Sequence, residues 1–112
     1  MLTSGDVIDV DLGIPIGSEA GSPRPAVVVT AQLILDQQPT VIQVVPLTST
    51  IRNFRSEVVI EPQQSGLAHI SAAQCQHIRA ISTARISQPR GNVGAVKLRS
   101  MREVLALLMD LD

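Results

Sequence analysis

The chain has 112 residues, 45% of them apolar, a net charge of −1 and a single cysteine. That is enough for one domain with its own core, residues 1–112, but it excludes an internal disulfide. The charge lacks the basic balance usual in nucleic-acid binders. No apolar run approaches a membrane span and no basic-then-apolar leader opens the chain, so a soluble cytoplasmic protein is expected.

Phe54 is the lone aromatic residue, so Val, Ile, Leu and Ala must fill the core, and the usual base-stacking platforms are missing. The acids gather at the ends (Asp6, Asp9 and Asp11; Glu103, Asp110 and Asp112). Arg24, Arg52, Arg55, Arg79, Arg85 and Arg90 occupy the middle. A near-neutral total can therefore conceal a basic face.

Residues 5–12 alternate Asp9 and Asp11 with Val10 and Leu12, the pattern of a half-buried strand. The aspartates read as its solvated face, because a divalent ion needs more oxygen ligands and no calcium-loop spacing is present. Residues 13–23 hold three Gly and two Pro and form a loop, either a flap over a site or a plain surface loop. No Gly-Lys-Ser/Thr follows, which excludes a phosphate-binding P-loop.

Arg24-Pro25-Ala26-Val27-Val28-Val29-Thr30 reads as a buried strand, with Pro25 at its mouth and Arg24 at its lip. Residues 31–39 are a polar connection around Leu33-Ile34-Leu35. Residues 40–47 are a third strand, where Pro46 suggests an edge or a bulge before Thr48-Ser49-Thr50. If these strands are neighbours, Arg24 and Thr48 face one pocket; otherwise they are a pre-strand charge and the start of a turn. A loop over 48–55 leads to a fourth strand, 56–61, and a turn over 62–66.

The pattern over 67–81 is mixed. Ala68, Ile70 and Ala72 alternate on one short strand, and Cys75, His77 or Ile78, and Ile81 mark another. His69 reads as a turn or surface residue. Residues 82–85 form a turn. Residues 86–93, with Pro89 and Gly91, form an edge strand at most. Residues 94–109 are a helix, with Leu98, Met101, Leu105 and Leu108 at helical spacing; Gly94 is a weak cap for its start. Short strands followed by one helix point to a small barrel or bent sheet with the helix packed on it.

Four motifs in register carry a resemblance. Gly5-Asp6-Val7-Ile8 through Val10-Asp11-Leu12, with Gly17-Ser18-Glu19 and Arg24-Pro25-Ala26-Val27-Val28-Val29, resembles the opening of the MazF/PemK family of ribonuclease toxins. Val44-Val45-Pro46-Leu47-Thr48-Ser49, Gln76-His77-Ile78-Arg79-Ala80-Ile81 and the closing helix resemble its later motifs. The resemblance implies a mainly β fold with a C-terminal helix, an SH3-like β-barrel of the CcdB/MazF type, in a homodimer. It implies a sequence-specific, metal-independent and cofactor-free endoribonuclease acting on single-stranded RNA. It also implies a cognate MazE-like antitoxin whose acidic tail occupies the RNA groove.

By the same resemblance, Arg24 and Thr48 are the catalytic residues. The ribose 2′-hydroxyl attacks the adjacent phosphorus, leaving a 2′,3′-cyclic phosphate and a 5′-hydroxyl, while a guanidinium and a hydroxyl hold the charge that grows on the phosphate oxygens. His77 is a candidate acid or base, because His titrates near neutrality and Arg does not. Gln76 stands where some members carry a carboxylate. If the segment is a strand, only one of Gln76 and His77 faces the groove. Ser18, Glu19, Ser49, Thr50, Arg52, Arg55 and Gln76 are the candidate RNA-binding residues. Two rival functions share the fold: a CcdB-like toxin that binds a protein such as DNA gyrase without cleaving anything, and a catalytically weakened antitoxin-binding module.

Overall fold

A computed structural model describes residues 1–11 and 24–111. The segment 12–23, including Ser18 and Glu19, lies outside the described residues. The strands are β1 (Asp6–Val10), β2 (Arg24–Val28), β3 (Val41–Thr48), β4 (Glu57–Ile60), β5 (Ser71–Gln74), β6 (Arg79–Ser82) and β7 (Ile86–Asn92). The helices are α1 (Gln32–Leu35) and α2 (Gly94–Leu108), and single 3₁₀ turns cover Cys75–His77 and Thr83–Arg85. The connection over 31–39 thus contains a turn of helix, too short for a periodic signal, which buries Leu35 and leaves Leu33 exposed.

The strands make one antiparallel sheet in the order β4-β5-β3-β2-β1-β7, with β6 also paired to β3. The sheet is not closed as a barrel would be, and among the described residues no ladder joins β4 to β7. A loop bridges the gap instead. The turn after β4 meets the end of β7, where Asn92 N donates to Gln64 O at 3.1 Å. This approach needs two glycines. A Cβ on Gly66, whose φ is +75°, would lie 2.3 Å from Arg90 O, and one on Gly91 would lie 2.4 Å from Gln64 O.

Strand β3 is the spine. Its first half, Val41 to Val44, pairs with β6, and Leu47 and Thr48 pair with β5. Pro46 falls between these two ladders, opposite Ala26 of β2. The strand is internal, so the expected edge is not there. Its proline is tolerated because the missing N–H comes where β3 changes partner.

Because β1, β2 and β3 are covered on both faces, their apolar runs are continuous, and alternate residues feed two cores. Val7, Val27, Val45 and Leu47 join Leu98, Met101 and Leu105 of α2. Ile8, Ala26, Val28, Ile42 and Val44 pack with Leu35 and Ile81 on the other side. Strand β5 is likewise buried along its length, whereas Ala68 and Ile70, expected on it, precede it and are exposed. Among the described residues strand β7 pairs only with β1, in a ladder with two register shifts, as its Pro89 and Gly91 lead one to expect. The apolar stripe of α2 ends a turn early, leaving Leu108 47% exposed. At the other end Asn92 Oδ1 accepts from Gly94 N at 2.7 Å, supplying the cap that Gly94 itself cannot.

Candidate active site

Strand register brings one row of residues to the same end of the sheet. Val10 of β1 pairs with Arg24 of β2, and Thr48 of β3 pairs with Ala72 of β5. Between them, β2 and β3 pair antiparallel through Val28 with Val44, Val27 with Val45 and Ala26 with Pro46. Carried two residues further, that register sets Arg24 opposite Thr48. Opposed residues of an antiparallel pair project from the same face with Cβ atoms about 4.5–5.5 Å apart.

Arg24 and Thr48 line a cleft of about 270 Å³, together with Ser49, His69 and Arg90. Its apolar floor includes Leu47 and Leu67, both members of the α2-side core. The polar rim is therefore mounted on side chains that cannot shift without disturbing the packing beneath them. Thr48 Oγ1 accepts the backbone N–H of Thr50 at 3.1 Å. One lone pair is thereby occupied, and the hydroxyl hydrogen remains able to donate toward the cleft.

The cleft is cationic. Arg24 and Arg90 both line it, and no carboxylate does so among the described residues. Arg90 Nη1 lies 3.2 Å from Asp9 Oδ1 of β1, so one of the early aspartates holds a guanidinium at the rim. Among the described residues no group of three or more His, Cys, Asp or Glu side chains is placed to hold a metal ion.

Ser49 therefore lines the cleft with Arg24 and Thr48, and Thr50 is exposed beside them. Arg52 and Arg55 are exposed on the loop that follows; the Arg52 N–H is taken by Glu57 Oε1 at 3.1 Å, and neither residue lines the cleft. Gln76 is exposed and His77 partly buried on the 3₁₀ turn Cys75–His77. This turn is not strand, so the alternation expected to choose between the two residues does not operate. Neither is among the residues that line the cleft with Arg24.

Two residues that sequence reasoning passed over do line it. His69 is an exposed bend residue, as its context suggests, but the bend runs straight into β5 and carries its side chain to the cleft. Ser71 Oγ donates to His69 O at 3.1 Å, tying that bend to the start of the strand. Arg90 sits in the irregular ladder of β7 between Pro89 and Gly91. No local pattern marks either residue.

Away from the cleft, Cys75 is fully buried and its Sγ donates to Met101 O at 3.9 Å. Burial pushes its thiol up to about 11. Among the described residues no helix is long and apolar enough to cross a membrane.

Residues 3–111 match the family described as PemK-like, MazF-like toxin of type II toxin-antitoxin system. The chain is 37% identical over 116 aligned positions to Endoribonuclease MazF9 of Mycobacterium tuberculosis (strain ATCC 25618 / H37Rv), covering 99% of this chain and 98% of that protein. Among solved structures it resembles an endoribonuclease in complex with its cognate antitoxin from Mycobacterial species (TM-score 0.81, 19% identity, 100% of this chain and 98% of that one). It also resembles MazF (Form-I) from Deinococcus radiodurans (TM-score 0.80, 21% identity, 96% of each chain). The two structures share the fold. With a family match spanning almost its whole length, this chain belongs to the PemK-like, MazF-like toxins of type II toxin–antitoxin systems.

Proposed function

We propose that the chain is an endoribonuclease toxin that cuts single-stranded RNA in the cleft of Arg24 and Thr48, using the 2′-hydroxyl of the RNA as nucleophile. The observation that carries this reading is the placement of a guanidinium and a hydroxyl opposite one another on neighbouring strands, in one cationic cleft. The O2′–P bond forms as the P–O5′ bond breaks, and negative charge accumulates on the non-bridging oxygens. Arg24 donates two parallel hydrogen bonds to these oxygens and Thr48 donates a third, without the reorganisation that water would need. Since the nucleophile belongs to the substrate, DNA is spared, and neither metal nor cofactor enters the step.

Ser49 and Thr50 would bind backbone at the rim, with Ser18, Glu19, Arg52, Arg55 and Gln76 extending the RNA track on either side and Arg90 added to it. His77 is a candidate acid or base by its residue type alone, and it does not line the cleft. The functional partners of this reading are single-stranded RNA, a MazE-like antitoxin and a second copy of the chain, in the cytoplasm. Two observations support it over gyrase binding: the full-length match to a family of toxins and the relative named as an endoribonuclease. The test is incubation of purified protein with a long single-stranded RNA in EDTA, with the new ends mapped. Discrete cuts bearing 5′-hydroxyls, lost in Arg24→Ala, are expected. Intact RNA, or cutting that requires magnesium, refutes the reading.

A further inference from the structure

The reaction needs a group to take the 2′-hydroxyl proton, and the Arg24–Thr48 pair does not contain one. An arginine stays protonated at any working pH, and a threonine hydroxyl does not act as a base near neutrality. We propose that His69 is that base, an inference that rests on the nuclease reading above.

Three observations converge on it. His69 lines the same cleft as Arg24 and Thr48. Among the described residues lining that cleft, His69 alone carries a side chain of the type that serves as a general base. Among the described residues, the charged groups lining the cleft with it are Arg24 from β2 and Arg90 from β7, with Asp9 held against Arg90; the other polar side chains, Thr48, Ser49 and Ser71, are hydroxyls. The position is also built. The His69 carbonyl accepts from Ser71 Oγ, and Ser71 opens β5, whose next residue, Ala72, pairs with Thr48. The backbone that carries the imidazole is therefore tied to the strand beside Thr48.

In the step, a neutral imidazole nitrogen of His69 takes the 2′-hydroxyl proton as the O2′–P bond forms. The P–O5′ bond breaks, the departing 5′ oxygen takes a proton from solvent, and the imidazolium later gives its proton back to water. No oxidant, reductant or metal enters the balance. An acidic fall in rate follows directly, because protonated His69 cannot accept.

The test measures kcat/KM between pH 5 and 9 on a short single-stranded RNA containing a mapped cut site. For the unaltered protein the rate should rise about tenfold per pH unit on the acid side and then level off, and His69→Ala should lower the plateau by about 100-fold or more and abolish that acid limb. Imidazole added to His69→Ala should restore part of the rate, which a merely structural loss would not allow. Because His69 is exposed, the substitution leaves the core alone. The proposal is overturned if His69→Ala keeps both rate and acid limb while Arg24→Ala is inactive, a result that leaves the nuclease reading standing. It is also overturned if the limb disappears in His77→Ala instead. If the unaltered protein leaves the RNA whole, both inferences fall together.

Discussion

Extending the β2–β3 register two steps past the Ala26–Pro46 pair sets Arg24 opposite Thr48, and both residues line one cleft. Neither residue depends on a loop for its place. Replacing either by Ala should lower kcat by about 10²–10³, equivalent to about 2.7–4 kcal/mol of transition-state stabilisation. Both positions are partly exposed, so the melting temperature should hold. Arg24→Lys should lose most of the rate too, since an ammonium is a point charge and cannot form the two-pronged grip. Single-turnover kinetics beside thermal melts check this; equal losses in rate and in stability would contradict it.

Arg90, paired with Asp9 at the rim of the cleft, is expected to act on substrate affinity rather than on chemistry. Arg90→Ala should weaken binding of an uncleavable, 2′-deoxy-substituted RNA and flatten the dependence of log Kd on log salt by about 0.7, the value of one phosphate contact on a single strand. Asp9→Asn leaves the guanidinium in place but unheld. It should weaken binding less, and its effect on folding should stay within about 1 kcal/mol because both side chains are more than a third exposed to water. Fluorescence anisotropy across a salt series separates the two variants.

The glycine seam between the β4 turn and β7 predicts a stability defect that reaches the edge of the cleft. Gly66→Ala combines a positive φ with a Cβ driven against the Arg90 carbonyl. It should cost at least about 1–3 kcal/mol, and it should displace the backbone that presents Arg90. Denaturant titration would read the first effect and RNA binding the second.

Buried Cys75 gives a pH signature at the alkaline end. Its thiol titrates near 11 in the folded chain, against an ordinary value of 9.0. As pH rises through this window the unfolded chain releases its proton first, so stability present below pH 9 drains away up to pH 11. The loss is at most about 2–3 kcal/mol. Cys75→Ala should flatten that slope in melts taken from pH 8 to 11, and the native thiol should resist aromatic disulfide reagents at pH 8.

Much of this fold is legible in the chain because β-branched runs and a helical stripe are strong periodic signals, as at residues 24–30 and 98–105. The pairing of those runs is less so. Strand β3 changes partner at Pro46, and nothing near that residue announces β5 on one side of it and β6 on the other. The candidate catalytic pair, Arg24 and Thr48, could be nominated from motifs, and both members sit at strand ends. His69 and Arg90 could not. One lies in a bend without periodicity and the other in a bulged edge strand, and only tertiary closure carries them to the same opening. The Cys75–His77 turn misled for a simpler reason: three residues of 3₁₀-helix interrupt what reads as a continuous strand.

The change of partner at Pro46 has a consequence for inheritance. A slip of β3 by a single residue would rotate Thr48 to the opposite face and exchange the contents of both cores, Val44 for Val45. What keeps the hydroxyl aimed is thus the order of aliphatic residues behind it, including Val44 and Val45, which do not line the cleft. Variation among those valines should therefore disturb the cleft while every polar residue that lines it is intact.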